Sequence, residues 1–451
     1  MLVPDKVQEE HIQTVLDSGW AGGALIAEGM GRGKTLIATE VVMRSNARVV
    51  LIVAPRATLP SWRATLLGQG FKHPITRIRT GKDFEAVTAA LKAGTPGAYL
   101  ITTQFFSSPK FDWLKYKKID IAIVDEIHKF ANRRGVGHKR LLKLRPAFRL
   151  GMSGTPWGNR IENMWAVTRW LYPDWAGGSF WRWAEEYLTQ RTNSLYIAGE
   201  YQEVVEITGE RIPGKYVSTL PAFIRTKEAH PDIPEILRDQ LWVELTPKQR
   251  KMYDAFERDC MIFIGDKALV AEIPITMRTR LRQMTLGSVT VDDDGIVGFP
   301  DDMASAKFDA LKDFLDQNPE NVLIITESKK YAEIVAKRLG DSARLWQGGL
   351  NEAQQQELID GFGVEFPHLV AVTAALDAGL DGLQKRCHTM VWMSRSEDPV
   401  MNSQTEGRLA RRGQKHGHVV CIDIIAEDTY DESILNRNYL KERMVALTIG
   451  E

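Results

Sequence analysis

Three glycines, a lysine and a threonine stand close together in the segment LIAEGMGRGKTLIATE, residues 25–40. An apolar run over residues 24–27 predicts a buried strand before them, and residues 34–44 predict a helix after them. In that order, backbone N–H groups and the helix N-terminus bind phosphates, the lysine reaches the β and γ phosphates, and the hydroxyl binds Mg²⁺. A glycine-rich strand–helix turn without a ligand is the alternative. The predicted nucleotide-binding residues are Gly29, Met30, Gly31, Arg32, Gly33, Lys34 and Thr35.

Two adjacent carboxylates end the apolar run of the segment IAIVDEIHKFAN, residues 121–132. A strand there places Asp125 and Glu126 at its carboxyl end, where ligands bind in open α/β sheets. Asp125 can then hold Mg²⁺ through water together with Thr35, and Glu126 can orient and deprotonate an attacking water. Acidic residues that cap a helix are the structural alternative, which the glycine-rich segment in the same part of the chain disfavours. The two segments together predict ATP hydrolysis.

Two arginines near the end of the chain could act on the same phosphates. The segment QTEGRLARRGQ, residues 404–414, predicts a helix that presents Arg408 and Arg411 on one face. Such a run of basic residues usually forms a helix face exposed to solvent, and this is the structural alternative. ATP held by the first half of the chain, however, needs cations at its γ phosphate, and arginine fingers increase the rate by roughly 10³–10⁵. The catalytic candidates are therefore Lys34, Asp125, Glu126, Arg408 and Arg411.

Two series of short apolar runs supply the strands that must position these residues. Such runs predict parallel strands covered by helices on both faces. Their alternation with helical stretches predicts an α/β fold with two domains, residues 1–222 and 223–451. The predicted strands are GALIA, RVVLIVA, AYLIT, IDIAIVD and FRLGMSG in the first domain, and NVLIIT, ARLWQ, HLVAVT, TMVWMS and HVVCIDII in the second.

The zone between the two series, residues 157–300, has a different character. Half of the chain's twelve tryptophans fall within residues 157–183, and a polar, β-like stretch follows over residues 193–218. We expect helical protrusions over residues 157–190 and about 245–290. Exposed tryptophans could stack on nucleic-acid bases, but their apolar neighbours favour packing of the first protrusion onto the first domain.

The composition excludes several classes of protein. Lys+Arg and Asp+Glu are 58 each, so a nucleic-acid-binding surface would have to be a local stripe. The three cysteines, Cys260, Cys387 and Cys421, are far apart, which argues against a disulfide framework and, with the spacing of the histidines, against a zinc site. No apolar run approaches the ~20 residues of a membrane span, and the N-terminus does not resemble a signal peptide. We expect a monomeric, cytoplasmic protein, from a bacterial nucleoid or an infected host cell.

The ordered motifs of the first domain resemble those of superfamily 2 helicases and translocases, and among them the SNF2 family. The family's DEMGLGKT is similar to EGMGRGKT, so Glu28 stands where a strict phosphate-binding loop has glycine. The family's CPxSLLxxW, ITTYE, DEGHRLKN and LTGTPLQN resemble APRATLPSW, ITTQF, DEIHKFAN and MSGTPWGN. The segment LVPDKVQEEHI resembles the adenine-contacting Q motif, with Gln8 in the glutamine position.

The second domain resembles the same family. The segments VELTPKQRKMYDAF, SAKFDALKDFL, VTAALDAGLDGLQ, QTEGRLARRGQ and EDTYDESIL follow the family's order. The chain departs from the family at Asp381, where asparagine is common, and at Arg225, which stands alone where the family often has paired arginines. The resemblance implies two RecA-like lobes in tandem, and it assigns Gly379, Asp381 and Gln404 to the nucleotide.

The resemblance also implies that loops after strands of both lobes hold the phosphates of DNA. Ordinary turn formation explains each of these loop residues equally well. His128 could couple the ATP site to the other lobe or could fill a turn, and Ser153 and Thr155 belong to MSGTPWGN, a segment assigned to coupling. The expected DNA contacts are Arg56, Thr58, Thr103, Gln347, Gly348 and Thr373.

The preferred hypothesis is an ATP-dependent translocase of SNF2 type, which uses ATP and Mg²⁺ to move along double-stranded DNA and remodel DNA or protein–DNA complexes. A strand-separating, annealing or fork-remodelling superfamily 2 helicase is the alternative. A nucleotide-gated module that binds DNA without turnover is disfavoured, because the lysine, both carboxylates and both arginines are present. The motifs occupy almost the whole chain, which suggests a compact bacterial or phage type without accessory domains.

Overall fold

The structure is a computed structural model in which the chain divides into two compact units. The first unit comprises Met1–Ala229 and Lys441–Glu451, and the second comprises His230–Leu440. The residues that the structure describes are 1–18, 22–116, 118–158, 160–197, 200–228, 230–264, 267–271, 274–293, 296–376 and 381–449.

A seven-stranded parallel sheet forms the centre of the first unit, with the strand order β3-β4-β2-β5-β6-β1-β9. A separate antiparallel hairpin, β7–β8, follows the sheet's sixth strand in the chain. The strands of this unit are β1 (Gly23–Ile26), β2 (Val49–Ala54), β3 (Ile75–Arg77), β4 (Gly97–Thr102), β5 (Ile121–Asp125), β6 (Phe148–Met152), β7 (Leu188–Ile197), β8 (Glu200–Glu210) and β9 (Phe223–Ile224).

Helices cover both faces of this sheet, and its strands are therefore apolar on both sides. Along β2, Val49, Leu51 and Val53 pack into one hydrophobic cluster, while the alternate residues, such as Val50 and Ile52, pack into another. The helices are α1 (Lys6–Asp17), α2 (Lys34–Arg44), α3 (Leu59–Gly68), α4 (Gly81–Ala93), α5 (Thr103–Phe106), α6 (Val136–Leu141), α7 (Asn163–Leu171), α8 (Phe180–Tyr187) and α9 (Lys215–Ser218), with 3₁₀ turns at Trp113–Lys115 and Ile127–Phe130.

The second unit contains a six-stranded parallel sheet with the order β10-β19-β18-β15-β17-β16. Its core also forms two clusters, because Val322 and Ile324 of β15 face one side of the sheet and Leu323 and Ile325 face the other. The strands are β10 (Glu235–Val243), β11 (Met261–Ile264), β12 (Lys267–Val270), β13 (Thr290–Val291), β14 (Val297–Gly298), β15 (Val322–Thr326), β16 (Ala343–Trp346), β17 (His368–Val372), β18 (Thr389–Trp392) and β19 (His418–Ala426).

The helices of the second unit begin with a pair that follows β10 in the chain. They are α10 (Pro247–Asp259), α11 (Pro274–Leu286), α12 (Ala306–Gln317), α13 (Lys329–Leu339), α14 (Glu352–Gly361), α15 (Thr373–Leu376), α16 (Pro399–Glu406) and α17 (Tyr430–Ile449), which begins in this unit, with 3₁₀ turns at Gly340–Ser342 and Leu383–Lys385. Within the described ranges, the chain has no helix that combines the length and the apolar character of a membrane span.

Two parallel sheets with helices on their faces confirm the predicted α/β fold class. Three strands of these sheets were not predicted, namely β3, β9 and β10, which lie at sheet edges. Because the two residues of β9 pair with β1, the first sheet extends past residue 222, and the first unit runs to Ala229. A strand of two residues is too short for alternation of apolar and polar side chains to reveal it.

The stretch between the two sheets contains both strands and helices. The polar residues 193–218 fall largely in the hairpin β7–β8 and end in α9. The tryptophan-rich stretch forms α7 and α8, and four of its tryptophans are buried in the core of the first unit, whereas Trp175 and Trp181 are exposed. The buried tryptophans are Trp157, Trp165, Trp170 and Trp183. Packing is therefore the main role of this tryptophan cluster.

Candidate functional site

The glycine-rich loop lies between β1 and α2, as the sequence predicts. Gly33 caps α2 with a φ of 77°, and Gly31 has a φ of 74°, a region that residues with a Cβ rarely adopt. Lys34 begins the helix, and its Nζ donates to the carbonyl oxygens of Glu28 at 2.9 Å and Gly29 at 3.0 Å. The loop thus curves around its own lysine, which places this cation in the concave side where phosphates would bind.

Gln8 connects α1 to this loop. Its side chain forms a capping box with Asp5, and its Nε2 donates to the carbonyl oxygen of Arg32 at 3.0 Å. A Cβ added at Gly33 would lie 2.3 Å from the same Nε2 atom. The amide of Gln8 therefore supports the loop directly, and its predicted contact with adenine stays a prediction.

We expect Gly33→Ala to weaken ATP binding by roughly ten- to a hundredfold, since the new Cβ combines a strained positive φ with a clash against Gln8. Isothermal titration calorimetry with ATP would measure the change. Gly68→Ala is a matched control, because Gly68 ends α3 with open space around it. Equal affinities of the two variants would contradict the assigned geometry of the loop.

Asp125 is the last residue of β5 and is buried. Its Oδ2 accepts a hydrogen bond from Trp62 Nε1 at 3.1 Å and lies 3.5 Å from Thr58 Oγ1. Burial and the neighbouring charge of Glu126 raise the pKa of Asp125 above its usual value. A cation or another positive charge at this position would favour the ionised form.

Glu126 follows with a φ of 52°, an unusual conformation for a residue with a side chain. Ser153 Oγ, from the loop after β6, donates to its Oε2 at 3.1 Å, and His128 Nδ1 lies 3.2 Å from the same atom. Burial alone would raise the pKa of Glu126, but the hydrogen bond with His128 and the charges of His128 and Lys34 outweigh it, and the pKa is lowered. The carboxylate is thus ionised at neutral pH and held in one orientation.

His128 lies in the 3₁₀ turn Ile127–Phe130, and its side chain has a defined contact. Its Nδ1 lies 2.9 Å from Ser153 Oγ, which also accepts the backbone N–H of Thr155 at 3.1 Å. The three residues predicted to couple ATP to motion therefore form one hydrogen-bonded group with Glu126. Whether this group transmits a signal stays a prediction.

The structure adds residues that sequence reasoning did not assign to the site. Trp62 holds Asp125, and it could have been found because it is the tryptophan of the segment APRATLPSW. Arg225 and Thr226, which follow β9, bond to Ala27 and Glu28 just before the glycines of the loop. For the contacts of Arg225 and Thr226, the sequence gives one signal, which is the isolated arginine at position 225.

The prediction of a helix through Arg408 and Arg411 is wrong. The helix α16 ends at Glu406, and both arginines lie in the turns that follow. The i−4 pattern fails because Arg408 N bonds to Thr405 O and Arg411 N bonds to Leu409 O. Arg408 and Arg411 therefore do not lie on one face of a helix.

Arg411 has a carboxylate neighbour in the second unit. Its Nη1 lies 3.3 Å from Asp381 Oδ1, which also accepts Gln384 Nε2 at 2.6 Å. Gln404 lies on α16 and is half-buried, and the predicted nucleotide ligand Gly379 falls outside the described residues. The interaction of the arginines, Asp381 and Gln404 with a nucleotide stays a prediction.

An ionic network around the buried carboxylate of Glu406 fixes the position of the turn that carries these arginines. Glu406 accepts a hydrogen bond from Arg395 at 2.6 Å on one oxygen and from Arg238 at 2.6 Å on the other. Arg395 also binds both carboxylate oxygens of Asp423, at 2.6 and 2.9 Å. Removing one partner from such a network would leave an uncompensated buried charge.

The predicted DNA contacts fall into two groups. Arg56 and Gly348 are exposed, and Gln347 is half-buried. The three threonine hydroxyls, by contrast, donate to acceptors within the protein. Thr58 donates to Pro55 O at 3.0 Å, Thr103 to Gln104 Oε1 at 3.1 Å and Thr373 to Thr326 O at 3.2 Å. These hydroxyls would have to exchange their partners to contact a phosphate.

A cleft of about 350 Å³ lies in the second unit between α11 and the N-terminus of α13. Its cationic side chains include Arg280, Lys329 and Lys330. Glu327, at the end of β15, is paired with Arg282 of α11. Because this carboxylate is paired with an arginine, the described residues that line the cleft carry a net positive charge.

Comparison with known protein families matches nearly the whole chain. The SNF2-related domain matches residues 13–286, and the helicase conserved C-terminal domain matches residues 306–413. Among solved structures, the SWI2/SNF2 ATPase core of Sulfolobus solfataricus in complex with double-stranded DNA is 15% identical, with 99% of this chain and 94% of that chain covered and a TM-score of 0.43.

Curated relatives include bacterial and vertebrate proteins. The uncharacterized ATP-dependent helicase YqhH of Bacillus subtilis is 22% identical, over 95% of this chain and 77% of that protein. The putative ATP-dependent helicase/translocase YwqA of the same organism is 22% identical, over 94% of this chain and 46% of that protein. The chromodomain-helicase-DNA-binding protein 1-like of Danio rerio is 22% identical, over 95% of this chain and 42% of that protein.

The chain therefore spans most of YqhH but less than half of the other two relatives. The SNF2-related domain covers residues 13–286 of 451, which is more than half of the chain. On this ground, together with the helicase C-terminal domain, the chain belongs to the SNF2-related family of helicase-like ATPases.

Proposed function

We propose that this protein is a DNA-dependent ATPase that moves along double-stranded DNA and remodels DNA or protein–DNA complexes. The observation that carries the proposal is the group at the carboxyl edge of the first sheet in which Asp125, Glu126 and Ser153 are hydrogen-bonded in series and the charge of Lys34 acts on both carboxylates. Two relatives are named as an uncharacterized ATP-dependent helicase and a putative ATP-dependent helicase/translocase, and these names support the same class of activity.

In the proposed reaction, water attacks the γ phosphorus of ATP, the bond to the β–γ bridging oxygen breaks, and ADP and phosphate leave. Lys34 and the N–H groups at the start of α2 bind the phosphates. Glu126 orients the water and accepts its proton, while Ser153 and His128 hold the Glu126 carboxylate. Arg408 and Arg411 are proposed to stabilise the charge on the γ phosphate.

Mg²⁺ is the proposed cofactor, with Thr35 and Asp125 as its protein ligands. Among the described residues, no group of three or more His, Cys, Asp and Glu side chains could hold a metal ion. Hydroxyl and carboxylate oxygens are ligands that Mg²⁺ accepts, and it binds through one or two of them plus substrate phosphates. When bound, the cation neutralises charge on the β and γ phosphates.

The cationic cleft of the second unit supports the proposed binding of nucleic acid. Lys329 and Lys330 are exposed at the start of α13, beside Arg280. Lysines and helix N-termini bind phosphate oxygens without reading the base sequence. Such binding suits an enzyme that must move along DNA of any sequence.

The ATPase rate measured side by side with duplex DNA, single-stranded DNA, forked DNA and RNA tests the proposal. We expect duplex DNA to give the strongest stimulation. Preferential stimulation by forks, with displacement of a strand from branched substrates, would instead favour the strand-separating or fork-remodelling alternative. Stimulation by RNA alone, or equal rates without nucleic acid, would contradict a DNA-dependent enzyme.

The double substitution Lys329→Gln and Lys330→Gln tests the cleft in the same assay. We expect the variant to need a higher DNA concentration for half-maximal stimulation. The slope of the logarithm of the DNA-binding constant against the logarithm of the salt concentration should be shallower by about 0.9 for each phosphate that the variant no longer binds. Lys251→Gln with Lys312→Gln makes the same charge change at exposed positions on α10 and α12. If the two double variants bind DNA with equal affinity, DNA does not bind in this cleft.

A further inference from the structure

We propose that the segment after β9, residues 225–228, is a latch that holds the glycine-rich loop in its phosphate-binding shape through Glu28. The inference rests on the proposed binding of ATP to that loop. It assigns positioning roles to Glu28 and Thr226. Neither residue is expected to touch the nucleotide.

Glu28 is buried, with 1% of its surface exposed, although it lies in a loop next to solvent-accessible residues. Its Oε1 accepts hydrogen bonds from both the backbone N–H of Thr226 at 2.6 Å and the hydroxyl of Thr226 at 2.7 Å. A buried carboxylate is costly unless it is hydrogen-bonded, and two donors from one residue offset part of that cost at Oε1. Glu28 therefore anchors the start of the loop to one point of the segment after β9.

The neighbouring residue of the latch connects two loops at once. Arg225 Nη1 donates to Ala27 O at 2.7 Å and to Gly154 O at 3.1 Å. Ala27 precedes the glycine-rich loop, and Gly154 lies between Ser153 and Thr155 in the loop after β6. Arg225 thus sets the spacing between the loop that holds phosphate and the loop that holds Glu126.

The far end of the glycine-rich loop is attached to the same segment. Arg32 donates to Glu228 O, and its Nε lies 3.5 Å from Glu28 Oε2. His11 of α1 lies 3.6 Å from Glu28 and 3.3 Å from the Thr226 hydroxyl. A loop with glycines at positions 29, 31 and 33 has many accessible backbone conformations. Attachment at both ends selects one of them before the nucleotide arrives, which lowers the entropy cost of binding.

The sharpest test changes Glu28 to the residue that a strict phosphate-binding loop has at this position. Glu28→Gly creates the pattern G-x-x-x-x-G-K-T. If the latch exists, this change toward the consensus weakens ATP binding by roughly ten- to a hundredfold, the loss expected from a charge-assisted hydrogen bond. Calorimetric titration with ATP measures affinity without relying on hydrolysis.

Conservative variants separate positioning from simple loss of stability. Glu28→Gln keeps an acceptor for both Thr226 donors and should recover most of the affinity that Glu28→Gly loses. Thr226→Val keeps the backbone donor and the Glu28 carboxylate but removes the hydroxyl, so it should weaken ATP binding more than Thr226→Ser does. Thr88→Val on α4 is the matched control, because its hydroxyl donates only to Glu85 O nearby.

The outcomes distinguish the latch from the proposed function. A wild-type protein that binds no ATP would overturn both. If the wild type binds ATP and folded Glu28→Gly binds it equally well, the latch alone is overturned. If Glu28→Gly does not fold, unchanged affinity of Thr226→Val overturns the latch instead. Binding by Glu28→Gln as weak as that by Glu28→Gly would also overturn the latch. Weaker binding with thermal midpoints close to that of the Thr88→Val control supports the latch.

Discussion

Replacing Glu126 by Gln is expected to lower the rate of ATP hydrolysis by roughly 10²–10⁴ while ATP still binds. Ser153 Oγ and His128 Nδ1 hold the Glu126 carboxylate at 3.1 and 3.2 Å. An amide keeps the size of the carboxylate but cannot accept a proton from water at neutral pH. Steady-state phosphate release with saturating duplex DNA measures the rate, and calorimetry measures binding.

Glu85→Gln provides the matched control for this experiment, since Glu85 is exposed on α4 of the same unit. Because the pKa of Glu126 is lowered, its carboxylate is charged throughout the neutral range. A fall in the rate of ATP hydrolysis just below neutral pH would therefore come from the protonation of another group. Turnover of Glu126→Gln within tenfold of the wild type would show that another group orients the water. Asp125, the adjacent buried carboxylate, would then be the first to test.

Arg411→Ala is expected to lower hydrolysis by roughly 10³ or more if Arg411 acts as the arginine finger. Its present partner, Asp381, lies 3.3 Å away and is 72% exposed. Water around the Asp381 carboxylate weakens this ion pair, so exchanging this one contact for a phosphate would cost little. Single-turnover hydrolysis with excess enzyme isolates the chemical step from product release.

Arg411→Lys keeps one positive charge but loses the planar fork of donors, so we expect it to recover only part of the rate. Arg258→Ala is the control, because Arg258 is exposed at the end of α10 and pairs with its neighbour Asp259. A rate for Arg411→Ala that matches the control would remove Arg411 from the catalytic group. The same experiment on Arg408 would then decide whether either arginine acts.

The local parts of the site could be predicted well, since they depend on short contiguous segments. The strand, the glycine-rich loop and the helix α2, which begins at Lys34 and ends at Arg44, follow from apolar periodicity and from the glycines. The carboxylates Asp125 and Glu126 end a strand for the same reason. The predicted helix through Arg408 failed because α16 ends at Glu406, and the N–H groups of Arg408 and Arg411 bond to carbonyl oxygens three and two residues earlier.

Contacts between distant segments could not be predicted in this way. The hydrogen bond from Trp62 to Asp125 joins residues 63 positions apart, and the contact of Thr226 with Glu28 joins residues 198 positions apart. Neither changes the periodicity of its own segment. Glu28 itself signals only that a glycine is missing.

From its amino-acid order alone, the chain determines the α/β class, the chemistry of the glycine-rich loop and the carboxylate pair, because backbone geometry and side-chain type act over a few residues. Tertiary structure alone decides which side chains hold those groups in place. Burial supplies the reason: Glu28 and Asp125 lose contact with water, and the hydrogen bonds that Thr226 and Trp62 donate to them offset part of that loss. Folding brings those donors from elsewhere in the chain.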